Sequence, residues 1–87
     1  MKRSENTIRI LLADEHRLVC SAVSSLIETF DNMTVVAEVS SEQQLMREVA
    51  HYRVDVALID SAVVALSGLE SLTYLTDLCP GIRIIVL

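Results

Sequence analysis

This 87-residue chain is poor in the residues that build several common kinds of site. Its two cysteines, Cys20 and Cys79, lack the C-x-x-C spacing of zinc or redox motifs, so we expect two reduced thiols packed as small apolar groups. Its two glycines, Gly68 and Gly81, form no phosphate-binding loop of the dinucleotide-binding or P-loop type, and the G-x-S-x-G motif of hydrolases is absent. Aromatic residues make up only 3% of the chain, which predicts an aliphatic core.

Positive charge is also scarce. The chain has 7 basic and 12 acidic residues for a net charge of -5, and its one basic pair is Lys2 with Arg3. Because nucleic-acid binding relies on clustered lysine and arginine, we expect no nucleic-acid contact by this domain itself. The longest apolar stretch, residues 56–69, is interrupted by Asp60 and is too short to cross a bilayer. No secretory signal is visible, and we expect a soluble, cytoplasmic protein without membrane contacts.

What the chain does have is a regular alternation of strand-like and helix-like segments. Continuous apolar runs are typical of parallel strands buried on both faces, and apolar residues three or four apart are typical of helices that pack on a sheet. The pattern predicts strands at Ile8–Ala13, 34–39, 56–59 and 82–87, and helices at 18–30, 41–51 and 69–78. The order β-α-β-α-β-α-β predicts an α/β fold with one parallel sheet.

Two of the predicted helices carry further local signals. Ser41 and Gln44 have the spacing of a capping box, which predicts that the second helix begins there. For the first helix, the apolar spacing predicts an inward stripe made of Leu18, Val19, Ala22, Val23, Leu26, Ile27 and Phe30.

Three acidic residues directly follow two of the predicted strands. Asp14 and Glu15 come after Ile8–Ala13, and Asp60 comes after the strand at 56–59. Ligands of open α/β sheets bind at the carboxyl ends of the strands, so the three acids meet in one pocket if these strands are neighbours. Such a pocket suits a divalent cation and a phosphoryl group. Either aspartate alone is explained as well by local structure, Asp14 as a helix cap and Asp60 as a turn residue.

Four segments of the chain resemble the receiver domain of bacterial response regulators. They read IRILLADEH at 8–16, VDVALID at 54–60, GLE at 68–70 and PGIRIIVL at 80–87. The resemblance covers residues 8–87 and is closest to receivers that carry a LuxR/FixJ-type DNA-binding output domain. It implies a flavodoxin-like parallel sheet, of which this chain holds the portion β1-α1-β2-α2-β3-α3-β4.

The resemblance also implies a function, phosphoryl transfer from the phosphohistidine of a histidine kinase to an aspartate in a two-component system. By residue match, Asp60 is the phosphoacceptor, and Glu15 and Asp60 are direct Mg²⁺ ligands. Asp14 holds a metal-bound water, and the backbone carbonyl of Ala62 is the remaining protein ligand. The expected role is a signalling module upstream of a DNA-binding transcription regulator, not a metabolic enzyme. His16, beside the acids, is expected to be a first-turn residue of the helix.

The chain departs from the family's pattern in two places. Residues 63–65 read Val-Val-Ala where the family commonly has Met-Pro-Gly, and β-branched valines do not set turn geometry as proline and glycine do. The sequence also stops at Leu87, so it lacks the later elements, a switch Ser or Thr and a phosphate-contacting Lys. We therefore expect the N-terminal portion of a receiver domain, residues 1–87 with a flexible start at 1–7, truncated after the fourth strand.

These departures leave two further functions open. The first is a degenerate receiver that signals without phosphorylation, as a protein-interaction or dimerisation module. Its support is the altered loop at 63–65 and the missing Lys and Ser or Thr. Separately, we expect the apolar strand at residues 82–87 at a sheet edge, where exposed strands pair with other chains. Self-association through this strand is therefore expected. The second is an unrelated metal-dependent phosphohydrolase, for which His16 is the one candidate general acid or base beside the acids.

Overall fold

A computed structural model of the chain describes residues 6–87. The basic pair Lys2 and Arg3, and with it most of the predicted flexible start at 1–7, lies outside the described residues. Thr7 is buried, and the first strand begins directly after it. The elements are β1 (Ile8–Ala13), α1 (Arg17–Ile27), β2 (Met33–Val39), α2 (Glu42–His51), β3 (Val56–Ile59), a short 3₁₀ helix (Ser61–Val64), α3 (Leu69–Leu78) and β4 (Arg83–Val86).

The four strands form one parallel sheet in the order β2-β1-β3-β4. This arrangement confirms the predicted α/β class and the element order of a flavodoxin-like receiver. β1 and β3 are neighbours in the sheet, with Ala13 paired to Ile59 at their carboxyl ends. The predicted pocket required the strands before Asp14 and Asp60 to be neighbours, and β1 and β3 fulfil this requirement.

Helices cover the two faces of the sheet unequally. Successive strand residues point to opposite faces, so each strand contributes to two clusters. On one side α2 and α3 pack on the larger cluster, which contains Leu11, Ala13, Val39, Leu45, Val49, Val54, Ala57, Ile59, Val63, Val64, Leu75 and Ile82. On the other side α1 packs on a smaller cluster made of Ile10, Leu12, Cys20 and Ile27. Among residues 6–87, no helix has the length and apolar character needed to span a bilayer.

The inward face of α1 differs from the predicted stripe. Cys20 and Ile27 are buried and Val23 packs beside them, whereas Leu18 is 86% exposed and Leu26 is 63% exposed. Residues 20, 23 and 27 lie within one narrow arc of a helix, and position 18 points to the opposite side. The prediction was right for Val23 and Ile27 but wrong for the exposed residues, which are Leu18, Val19, Ala22, Leu26 and Phe30. The chosen residues spread around most of the helix, whereas only one arc of the helix packs on the sheet.

The α1 side of the sheet is open over β3 and β4. Val56 and Leu58 of β3 are only partly buried there, and Ile85 of β4 is 48% exposed. Leu87, directly after β4, is 73% exposed. Within residues 6–87, apolar side chains of this part of the sheet are therefore left partly exposed.

Candidate functional site

The carboxyl ends of β1 and β3 place two aspartates side by side. The backbone N–H of Asp60 donates to the carbonyl of Ala13 at 2.8 Å, which continues the β1–β3 ladder one residue past the last strand pair. Asp14 directly follows Ala13, the last residue of β1, and its own N–H donates to the carbonyl of Val39 at 3.0 Å. Both side chains therefore begin at one edge of the sheet, between its two central strands.

Asp14, Asp60 and His16 form a group with the geometry of a metal site. One ligand atom from each of the three lies within 4.8 Å of the others. The backbone N–H of His16 donates to Asp14 Oδ1 at 2.8 Å, and His16 Nδ1 lies 3.0 Å from the same oxygen. The contact with the backbone N–H of His16 lowers the pKa of the Asp14 carboxyl, and the ring adds to this effect. Asp14 is thus held in the ionised form that a cation requires.

The donor set of this group fits Mg²⁺. Hard cations prefer carboxylate oxygens, and Mg²⁺ keeps several waters and needs only one or two carboxylates from the protein. Asp14 and Asp60 supply these two carboxylates at an open edge of the sheet, where waters and a phosphoryl group have access. The two aspartates are the residues that would hold the ion.

The other two predicted ligands lie outside this group. Glu15 is exposed between the strand and the helix, and its role as a direct ligand stays a prediction. Ala62 is exposed in the 3₁₀ helix after Asp60, where its carbonyl accepts a long hydrogen bond from the Ala65 N–H at 3.5 Å. The role of that carbonyl as a ligand also stays a prediction.

The loop after Asp60 has a defined shape without the Met-Pro-Gly tripeptide. The chain turns into the 3₁₀ helix Ser61–Val64, and Val63 donates its N–H to the Asp60 carbonyl at 2.9 Å. Val63 and Val64 are buried in the larger core cluster. Burial of two apolar side chains therefore fixes the start of this loop, a part that proline and glycine fix in the family's usual pattern.

Cys20 lies next to the site but is not a reactive group. Its thiol is buried, and both cysteines are free, as predicted. Burial raises the pKa of the Cys20 thiol, and the nearby Asp14 charge raises it further. The thiol therefore stays protonated and packs as an apolar group.

His16 belongs to the group of side chains at the site, although the receiver interpretation of the sequence gave it no role there. It is the N-cap of α1, not a residue of its first turn, and its ring turns back to Asp14. An Asp-x-His spacing at the junction of a strand and a helix is the available signal, because an aspartate there readily accepts a bond from the backbone two residues on.

We predict that His16→Ala raises the pKa of the Asp14 carboxyl but leaves it below the usual value. The backbone N–H bond, which is the largest cause of the lowered pKa, survives the substitution, whereas the ring contact is lost. Any stability that ionised Asp14 contributes is present above its unfolded-state pKa and is lost as pH falls through the folded-state pKa. NMR titration of the carboxyl carbon measures both chains, and an identical pKa in them would contradict a contribution from the ring.

Known proteins resemble the chain in both sequence and fold. The model of the response regulator receiver domain matches residues 10–87. The nitrate/nitrite response regulator protein homolog of Haemophilus influenzae is 32% identical over 83 residues, which are 95% of this chain and 40% of that protein. A two-component response regulator of the LuxR family from an Aurantimonas species superimposes with a TM-score of 0.80 at 26% identity, over 92% of this chain and 57% of that one.

A further structure supports the fold alone. A chain in the complex of the P1 domain of CheA3 with CheY6 from R. sphaeroides has a TM-score of 0.82 at 21% identity, over 93% of this chain and 63% of that one. The present chain spans 36% and 40% of the length of two curated response regulators that it matches. Given the match over residues 10–87 and the shared sheet, the chain belongs to the response regulator receiver domain family.

Proposed function

We propose that this chain is the phosphoacceptor portion of a two-component response regulator, with Asp60 as the acceptor and Mg²⁺ as the cofactor. The observation that carries the proposal is the convergence of Asp14 and Asp60 at the carboxyl edge of two neighbouring strands. The chain acts as a signalling module rather than as a metabolic enzyme. Its phosphoryl donor is the phosphohistidine of a histidine kinase.

Asp60 acts as the nucleophile in this reaction. A carboxylate oxygen of Asp60 attacks the phosphorus, the bond from phosphorus to the donor's ring nitrogen breaks, and an acyl phosphate forms. Because Asp14 is ionised beside the acceptor, the pocket carries negative charge that repels a phosphoryl group. Bound Mg²⁺ supplies the positive charge that offsets the carboxylates and the phosphoryl oxygens.

The partners proposed for the whole regulator come from its relatives. Several of them are named response regulators, and one solved neighbour is a regulator of the LuxR family. We propose a DNA-binding output domain on the same polypeptide, with the receiver acting upstream of it in transcription regulation. The receiver itself carries a net charge of -5 and is not the part that contacts DNA.

The test of the proposal is incubation with acetyl phosphate and Mg²⁺, followed by measurement of the intact mass. We expect a mass increase of one phosphoryl group per chain, and we expect no increase when a chelator removes Mg²⁺ before acetyl phosphate is added. An unmodified mass together with no NMR response to Mg²⁺ near Asp60 would contradict the proposal and favour a receiver that works without phosphate.

A second candidate is a protein-interaction module that dimerises through residues 82–87. Its support is β4, which lies at one edge of the described sheet, and the exposure of Ile85, Val86 and Leu87. Exposed apolar edge strands pair with other chains. Sedimentation velocity of the unphosphorylated chain at roughly 50 μM, in the concentration range where such edges associate, is expected to show a dimer. A stable monomer there would exclude this candidate.

A further inference from the structure

The loop that follows the acceptor is fixed at its two ends by different means. At the start of the loop, the side chains of Val63 and Val64 are buried. Ala65 and Leu66 are exposed, so they do not anchor the end of the loop by apolar packing. The end of the loop lies at Ser67 and Gly68, where α3 begins. A polar contact from another helix holds this end.

That contact comes from Glu42 in the first turn of α2. Ser67 Oγ donates to Glu42 Oε1 at 3.1 Å, and Ser71 Oγ donates to Glu42 Oε2. Ser71 is only 3% exposed, and Glu42 itself is partly buried. One carboxylate therefore bridges the last part of the loop and the first turn of α3, and each of its oxygens accepts one hydroxyl.

The carboxylate is well placed to act as a clamp because its own helix end is firmly capped. Ser41 is the N-cap of α2, and its hydroxyl accepts from the Gln44 N–H at 3.2 Å. Gln44 Oε1 in turn accepts from the Ser40 N–H at 2.8 Å, so the cap that the sequence predicted forms with its return bond one residue earlier. A charge-assisted hydrogen bond from a fixed helix end is stronger than a bond between neutral groups.

We infer that Glu42 is a positioning residue for the acceptor site. Its clamp on Ser67 and Ser71 holds the end of the 61–68 loop, and the start of the same loop contacts the acceptor residue through the Val63 N–H, which donates to the Asp60 carbonyl. The inference rests on the proposed function, and it gives α2 a part in fixing the end of the loop, beside the part that Val63 and Val64 have at its start. Loosening the clamp weakens Mg²⁺ binding and slows phosphorylation of Asp60.

The experiment compares Mg²⁺ affinity and the rate of phosphorylation by acetyl phosphate in matched variants, at a temperature where circular dichroism shows each to be folded. Glu42→Ala is expected to bind Mg²⁺ about fivefold more weakly, the equivalent of one hydrogen bond's net contribution. Glu42→Gln removes the charge but keeps an acceptor oxygen, and it is expected to recover most of the affinity. Glu48→Ala removes the same charge from the same helix, where its partner is Arg47, and is expected to bind as the wild type does.

The serine variants separate positioning from stability. Ser67→Ala is expected to weaken Mg²⁺ binding with little effect on unfolding, because Ser67 belongs to the loop. Ser71→Ala is expected mainly to lower the free energy of unfolding, because Ser71 is buried in α3. If the role of Glu42 were merely structural, Glu42→Ala and Ser67→Ala would lower the free energy of unfolding and leave Mg²⁺ affinity unchanged.

Three results would overturn the inference. Wild-type Mg²⁺ affinity and phosphorylation in Glu42→Ala, with the wild type itself active, would overturn the clamp alone. Equal losses in Glu42→Gln and Glu42→Ala would assign the effect to charge instead of position. A wild-type chain that neither binds Mg²⁺ nor gains a phosphoryl group would overturn the proposed function and the clamp with it.

Discussion

Asp60→Asn is expected to abolish the gain of a phosphoryl group from acetyl phosphate, with a loss of rate on the order of a thousandfold or more. The amide is not a nucleophile and cannot form an acyl phosphate, so the substitution removes the reacting group itself. The fold is expected to survive, because the contact that ties residue 60 to the sheet is its backbone N–H bond to Ala13. Intact mass after incubation with Mg²⁺ and acetyl phosphate gives the result directly.

Two further variants test whether the loss of phosphorylation is specific to Asp60. Asp77→Asn changes an exposed aspartate of α3 in the same way and is expected to leave phosphorylation intact. Asp14→Asn keeps the acceptor but removes one negative charge from the cation site, so it is expected to raise the Mg²⁺ concentration needed for phosphorylation. A phosphoryl group that persists on Asp60→Asn would place the acceptor at another carboxylate and contradict the assignment.

Leu45→Ala is expected to lower the free energy of unfolding by about 2–5 kcal/mol, the range for removing a buried leucine side chain. Leu45 is fully buried in the larger core cluster, between α2 and the sheet. A chain of this length has a total stability of roughly 4–13 kcal/mol, so this one change removes a large share of it. Urea unfolding followed by circular dichroism measures the difference.

Leu18→Ala is the matched control for that experiment. It makes the same chemical change on a helix, but Leu18 is 86% exposed, so the expected effect is within about 0.5 kcal/mol. Equal losses in the two variants would show that α2 does not pack on the sheet as described.

The two central strands of the sheet, β1 and β3, were the most predictable part of the fold. β1 at Ile8–Ala13 and β3 at Val56–Ile59 begin and end at the residues expected from their apolar runs. These strands can be predicted without knowledge of their neighbours, because every position except Arg9 is apolar. The face of α1 was less predictable, since Leu18 and Leu26 look like core residues until the position of the sheet is known.

The candidate site also has one part that was predictable from the sequence and one part that was not. Asp14 and Asp60 were predictable because each follows a strand directly, and position along the chain fixes their place at the sheet edge. The contact of Glu42 with Ser71 joins residues 29 apart in sequence on two different helices. No local sequence pattern predicts such a contact, because it depends on the distance and the relative rotation of α2 and α3.

The strand order β2-β1-β3-β4 also bears on how the chain folds while it is being synthesised. A nascent chain emerges from its N-terminus, and domains begin to fold before synthesis ends. Here β2 can join one side of β1, β3 the other side, and β4 the free side of β3. Each strand docks on an edge that already exists, and none has to insert between two paired strands. The strand order therefore lets the sheet be extended in the order of synthesis, and the pairing of β1 with β3 that brings Asp14 and Asp60 to one edge requires no later strand.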